Sequence, residues 1–492
     1  MLYFARHSFA RHALSVVAAT LVFALAVSGP SNCQRSLRAQ DLDSGDTSGD
    51  TTDSSSDSNS GNNGNNTNFI VSTGAVGGIM IDANGMLLNA SVDQVGQLAE
   101  MRRRALGPSD EAFGEAIQLR KISLRKLEAA IQDQIDRGQP IGEDIFYLAG
   151  LQRIEYVFVD PEHNDIVLAG SGEAWQLDDR GNVVGVTTGR PVMNLDDLLV
   201  ALRSAKAAAQ GGISCSIDPT PDGLNRMRAY VSQLRGIGPN PEATILNIQE
   251  SVGPQTIRVA GVPTSSHFAR VLVAADYRMK RLAMAFDPAP VDGMPSFMQL
   301  VKAAPNAGQQ NMLPRWWLEP RYDSVLKDET GLAWQLRPEG IVCQTEEDFL
   351  DRDGKVGHSG RRGGLANRWA SLMTERYDEL ALADPIFGQL ESVVDLAVVA
   401  ALIVKEDLTG KAQYSMPLLM DPVATPSARL ESPTEVASQA SVVRQSRQWV
   451  ISVSGGVEIN SWQLADRIET DAAVAGVREK SLAGDVDRWW WN

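Results

Sequence analysis

Cysteine is scarce in this chain: Cys33, Cys215 and Cys343 are the three in 492 residues. That excludes a small disulfide-dense domain, in which bridges stand in for a core. There is no CxxC and no HExxH, the short spacings at which zinc ligands cluster. Beyond Gln40 the histidines are His163, His267 and His358, far apart in sequence. No metal and no cofactor is therefore expected. A GxxxxGK[ST] phosphate loop and a GxSxG nucleophile elbow are missing too. Gly236-Ile237-Gly238 runs straight into Pro239-Asn240-Pro241, the wrong continuation for a phosphate-cradling helix start. Motifs thus assign no catalytic residue. Positive charge is short as well. Lys and Arg total 45 against 61 Asp and Glu, a net −16. Nucleic acid and anionic lipid heads repel an acidic chain, so neither is an expected partner.

What is present begins with an export signal over residues 1–39. Arg6, His7, Arg11 and His12 form a basic start. Leu14–Val27 is apolar and alanine-rich, and Ala24-Leu25-Ala26 is a small-x-small cleavage site, with Leu37-Arg38-Ala39 a later one. The apolar run is short of the roughly 20 residues that span a bilayer, so the mature protein is expected to lack a membrane span. An uncleaved anchor is the alternative. Pro30-Ser31-Asn32 before Cys33 is not the small-residue run that lipidation needs. The leader through Gln40 holds four arginines and no acid, so its removal takes the charge to −16 − 4 = −20. Residues 40–68 are nearly all Asp, Ser, Thr, Gly and Asn. Such a segment has no apolar surface to offset the entropy of ordering, and is expected to be a disordered acidic linker.

The rest is long enough for more than one core. It reads as α+β, with helices and short strands mixed. Two packed subdomains are expected, 69–240 and 241–492, the second ending in a Trp-rich tail. That tail is expected to dock on the body as a short edge strand, Trp489 and Trp491 inward and Trp490 outward, the alternative being a tail held for a partner. A hairpin is predicted over Val76–Leu88 about Asn84-Gly85. Helices are predicted over Ser91–Leu106 and Asp110–Arg137, the second with Ser123 as an internal cap candidate. Arg102, Arg103 and Arg104 read as a solvated helix face. Strands follow at Ile154–Val159, Ile166–Ala169, Ala174–Leu177 and Val183–Thr187, then a capped helix over Asn194–Gln210. The scaffold is organised around Ser265–Pro288. Phe268, Val271, Leu272, Ala275, Met279, Leu282, Ala283 and Phe286 recur at helical spacing, with Ser265 or Ser266 as N-cap. Val271, Val273, Ala275, Tyr277 and Met279 also alternate; length and cap favour helix. Leu365–Leu382 and Ile386–Leu408 are predicted helices joined at Asp384-Pro385. The later one is apolar on nearly every side, the mark of a buried helix. Trp449–Asn460 reads as a strand pair.

Three clusters hold residues with chemistry, and each has a plainer reading. Ser265-Ser266-His267, with Asp276 beyond, sets a hydroxyl beside an imidazole. A triad converges from separate elements, so capping explains the serines better. Asp160, Glu162, His163 and Asp165 share one turn, and turns favour such residues. Trp316-Trp317 and Glu319, flanked by Arg315 and Arg321, resemble an aromatic and polar sugar platform; paired tryptophans in a strand divide between core and surface. Cys215 and Cys343 either pair in an oxidising compartment or stay as buried thiols.

The segments VGGIMIDANGML, DIVLAGSGEAW, TGRPVMNLDDLLVALR, ARVLVAADYRMKRLAM, DLAVVAALI and WVISVSGGVEIN together resemble an uncharacterised family of exported bacterial proteins, a domain of unknown function. The resemblance covers most of the chain after the linker. It implies export and one shared body, and carries no activity, cofactor or site residue. The expected role is a binding or assembly module of the cell envelope or secreted fraction, with a protein or glycan partner. The alternative is a secreted hydrolase whose site is built from dispersed carboxylates.

Overall fold

The computed structural model describes residues 79–82, 85–89, 113–114, 116–178, 181–234, 240–304, 311–350, 356–358, 364–438, 440–443, 448–451, 454–483 and 490–492. The chain divides into two units, Met1–Gly64 and Asn65–Asn492, and every described residue lies in the second. The leader, Cys33, the 40–68 linker, the 91–106 helix with its arginines, and Trp489 lie outside the described residues.

The body is α+β. Its larger sheet runs Ile79–Ile81, Met86–Asn89, Glu435–Val436, Gln255–Ala260, Ile213–Pro219, Ser454–Ile459, Asn311–Tyr322, Pro338–Leu350 and Val356–His358 in spatial order. The hairpin Asn311–Tyr322 with Pro338–Leu350 is its longest antiparallel pair. Period-2 alternation divides the two faces. Trp316, Leu318, Cys215, Ile217, Val457 and Ile341 point inward and are buried. Trp317, Glu319, Ser214, Ser216, Arg258 and Gln344 point outward and are half-buried or exposed. The sheet is mixed but mostly antiparallel, the kind that commonly packs one face on the core and leaves the other to solvent.

The inner face rests on the central helix, His267–Ala283. The Ser266 hydroxyl accepts the Ala269 N–H at its start. Phe268, Val271, Leu272, Ala275, Met279, Leu282 and Ala283 are buried, so helical periodicity prevailed over the alternating pattern. The helix stops at Met284, ahead of Asp287-Pro288, and Ala285 turns left-handed with φ +59°. Beneath it runs Pro385–Lys405, buried on all sides. It is long and apolar enough to cross a membrane, yet 94% of that stretch is buried within the body.

The second sheet has the order Ile468–Thr470, Val325–Lys327, Ala333–Gln335, Tyr156–Asp160, Asp165–Gly172, Ile117–Ser123. Val157, Val159, Ile166 and Leu168 join the main core, while Phe158, Val167 and Ala169 pack with Val474 of the helix Ala473–Leu482. Burial on both faces explains the continuous apolar run IVLA.

Three expectations change. Residues 117–123 form a strand paired with Asp165–Gly172, and the helix starts only at Leu124, with Ser123 as its true N-cap. Arg120 and Ile122 alternate inward, and a partner strand 40 residues away supplies the ladder; neither shows in the local pattern. Trp449–Asn460 is not a hairpin. Gln448–Ile451 and Ser454–Ile459 both run parallel to Asn311–Tyr322, one after the other along its edge. Leu365–Leu382 breaks at Arg376 into two helices, Leu365–Glu375 and Tyr377–Ala383. Cys215 and Cys343 are both free and buried.

The Trp tail folds back on the body. Trp491 bridges Ile122 at the open edge of the second sheet, Ser123 N–H donates to the Trp490 carbonyl and Asn492 N–H to that of Lys121.

Candidate functional site

The clusters singled out in the sequence come apart in the fold. His267 does not meet Asp276. It projects from the first turn of the central helix to Asp197, with Nδ1 2.9 Å from Oδ2. Asn194 caps the next helix, Leu195–Ala208, and its side-chain amide donates to the same Asp197 oxygen at 2.8 Å. Burial opposes protonation of His267, but the Asp197 carboxylate outweighs it and raises the ring's pKa. Ser266 is spent on its cap and on a bond to the Pro263 carbonyl at 2.7 Å. No hydroxyl is thereby handed to the imidazole, and the group is a joint between two helix starts.

Asp276 lies one turn before Lys280 on the buried side of the central helix. The two pair at 2.8 Å, and burial pushes the Asp276 carboxyl up to about 6. Lys280 reaches toward the Ile217 carbonyl and lies against Gly455. A β-carbon on Gly455 would come within 2.2 Å of the Trp316 carbonyl and 2.7 Å of Lys280 Cε. The Gly-Gly of this strand therefore admits both a neighbouring backbone and a buried lysine.

In the turn, His163 Nδ1 is 2.8 Å from Asp160 Oδ2, while Asp165 turns inward to accept from Ser123 Oγ and from Arg125 N–H at 3.0 Å. Among the described residues no three His, Cys, Asp or Glu side chains gather to hold a metal. A further charged group had no signal in the sequence. Glu391 and Asp395, one turn apart on the buried helix Pro385–Lys405, both bind Arg153, at 3.0 and 2.6 Å. Arg190 adds 3.3 Å to Glu391, and the Tyr322 hydroxyl donates to Asp395. This network ties the second sheet to the core helix.

The tryptophan pair divides. Trp316 is fully buried, edge-on to Phe297 and Trp369. Trp317 sits on the wet face, and its indole N–H donates to Glu319. Parallel pairing sets Leu318 beside Val457, so Glu319 and Glu458 occupy adjacent positions on neighbouring strands. They line an open cleft of about 500 Å³ with Asn460, Gln463 and Arg467. Asn460 donates to Glu458 at 3.0 Å. Carboxylates, amides and a guanidinium on one cleft, with an indole bonded to one of the carboxylates from beside it, are a set that hydrogen-bonds hydroxyl-rich ligands.

A second cleft, about 450 Å³, opens where the central helix begins. Its walls are Arg203 and Ser204 of the helix Leu195–Ala208, Ser265 and Ser266, and Ser427 and Arg429 of the strap 421–434.

The family described as Protein of unknown function (DUF1598) matches residues 215–297. That segment runs from strand Ile213–Pro219 through the central helix, and so carries both Ser265–His267 and Asp276–Lys280. No curated protein and no solved structure matches the chain.

Proposed function

We propose that the protein is exported by a bacterium, that the shared family body extends over most of the chain beyond residue 68, and that it acts at the cell envelope as a glycan-binding module. The reading rests chiefly on the open cleft lined by Glu319, Glu458, Asn460, Gln463 and Arg467, beside which the half-buried Trp317 indole donates to Glu319. Sugars are held by an aromatic face beneath apolar C–H groups and by acceptors and donors around the hydroxyls. The leader and the hydrophilic tether support delivery outside the cytoplasm.

Glu319 beside Glu458 favours a second reading, a hydrolase using two carboxylates. Titration calorimetry against soluble envelope oligosaccharides, with reducing-end release followed in parallel, separates the two. Binding without turnover, weakened about tenfold or more by Trp317→Ala, is expected of a module, since base- or sugar-sized stacking on an indole contributes about 1–3 kcal/mol. Release that Glu458→Gln abolishes would make it an enzyme. Absence of both would refute this cleft as the ligand face.

A further inference from the structure

The cleft at the start of the central helix differs in chemistry from the sheet face. Arg203 holds the strap by donating to the carbonyls of Leu419, Asp421 and Thr425, at 2.8, 3.1 and 2.7 Å. Arg429 is exposed and has no partner among the described residues. Neither guanidinium has a carboxylate within ion-pair distance among the described residues. Asp421 and Asp196 act on Arg203 electrostatically, so in a chain of net charge −16 Arg429 is the positive charge on this cleft left without an ion pair among the described residues. Ser204 is only 8% exposed and lines the cleft, and among the described residues its hydroxyl has no hydrogen-bond partner, which leaves it open to a ligand oxygen. Ser265 and Ser427 add two more hydroxyls without a partner among the described residues. The 17-residue central helix starts here, and its first-turn N–H groups lack intrahelical acceptors and carry the positive end of the dipole.

The geometry points to a binding site for a phosphomonoester with a short carbon body. Three hydroxyls, the Arg429 guanidinium and the helix start supply more donors than one planar carboxylate accepts. The three terminal oxygens of a phosphate take that number. Val200, Pro263 and Met420 form an apolar wall for the carbon body, and a cleft of about 450 Å³ is within the small-ligand range of about 300–1,000 Å³. Asp196 stands behind the strap, where its carboxylate accepts the Ala428 N–H at 3.2 Å. It anchors the loop that carries Ser427 and Arg429. The site is independent of the sheet-face cleft, and either stands if the other fails.

The test is calorimetric titration of the full-length mature chain with glycerol phosphate, inorganic phosphate, sulfate and glycerol. Saturable one-to-one binding of glycerol phosphate is expected, with inorganic phosphate weaker and glycerol silent. Arg429→Ala should weaken it about tenfold or more, the loss of a charge-assisted bond, and Ser204→Ala should weaken it several-fold. Arg429 is exposed, so its replacement leaves the fold intact, which an unchanged melting temperature without ligand verifies. Sulfate binding as tightly as glycerol phosphate would overturn the phosphomonoester assignment. No saturable heat, or equal affinity in both variants, would overturn the site.

Discussion

At the scale of single residues, burial decides what each charge does. Asp196 is 9% exposed, and burial, aided by the neighbouring Asp197, pushes its carboxyl up to about 6 against the pull of the Ala428 N–H, His267 and Arg203. An acid raised in the fold holds its proton more tightly there than in the unfolded chain. Its stabilising contribution is complete below the ordinary value of 3.8 and is lost as pH climbs to about 6. Asp196→Asn removes the charge and keeps an acceptor for Ala428. At about 1.4 kcal/mol per pKa unit, the variant should be more stable than the parent by up to about 3 kcal/mol near pH 7, and nearly equal to it near pH 4. Urea unfolding at the two pH values reads this directly; an equal difference at both would show that titration is not the cause. Arg120 is the opposite kind of charge. It is 1% exposed, donates to the Phe113 carbonyl at 2.6 Å and lies under the Trp491 ring. Burial lowers it to about 10, which still leaves it charged at neutral pH, and the aromatic faces supply part of the solvation it lost.

At the scale of elements, the tail pairs with the edge of Ile117–Ser123 through one bridge, Trp491 to Ile122, and the backbone bonds beside it. The sequence suggested Trp489 and Trp491 inward with Trp490 outward. The structure sets Trp490 inward at 3% exposure, while Trp491 stacks half-buried on Phe113 with ring centroids 4.5 Å apart. Parity in a strand is fixed by register with its neighbour, and here the neighbour is Ile117–Ser123, itself read from the sequence as helix. One misread element thus inverted the other. Deleting residues 489–492 exposes the edge of Ile117–Ser123 and uncovers Arg120. It should destabilise the body by about 2–5 kcal/mol, the range for losing large buried aromatics, as measured by chemical denaturation. An unchanged midpoint would mean that the tail makes no net contribution.

At the scale of the whole molecule, residues 40–68 and the body differ in composition. Asp41–Asn66 is almost free of apolar side chains, and polar chain in water contributes little to a core. Its deletion should leave the melting temperature of the body unchanged within about 2 °C, since about 1 kcal/mol moves a domain of 150–250 residues by only about 2–4 °C. A larger fall by differential scanning calorimetry would show that the segment packs.

The sequence by itself determined the local features. Ser266 and Asn194 cap their helices because an N-cap acts over three residues of backbone. The central helix and the buried helix Pro385–Lys405 were legible because 3.6-residue periodicity, or its saturation, is written along one segment. The Trp316 and Trp317 division followed from period 2 in a strand. Tertiary structure alone decided the groupings. Asp197 meets His267 across 70 residues, Asp395 meets Arg153 across 242, and Arg429 and Ser204 come to line one cleft from distant parts of the chain. No local pattern encodes such distances, because each depends on how the intervening elements pack. The strand at 117–123 was hidden for the same reason: its hydrogen bonds belong to Asp165–Gly172 and to the tail, and a strand without its partners has no ladder to declare it.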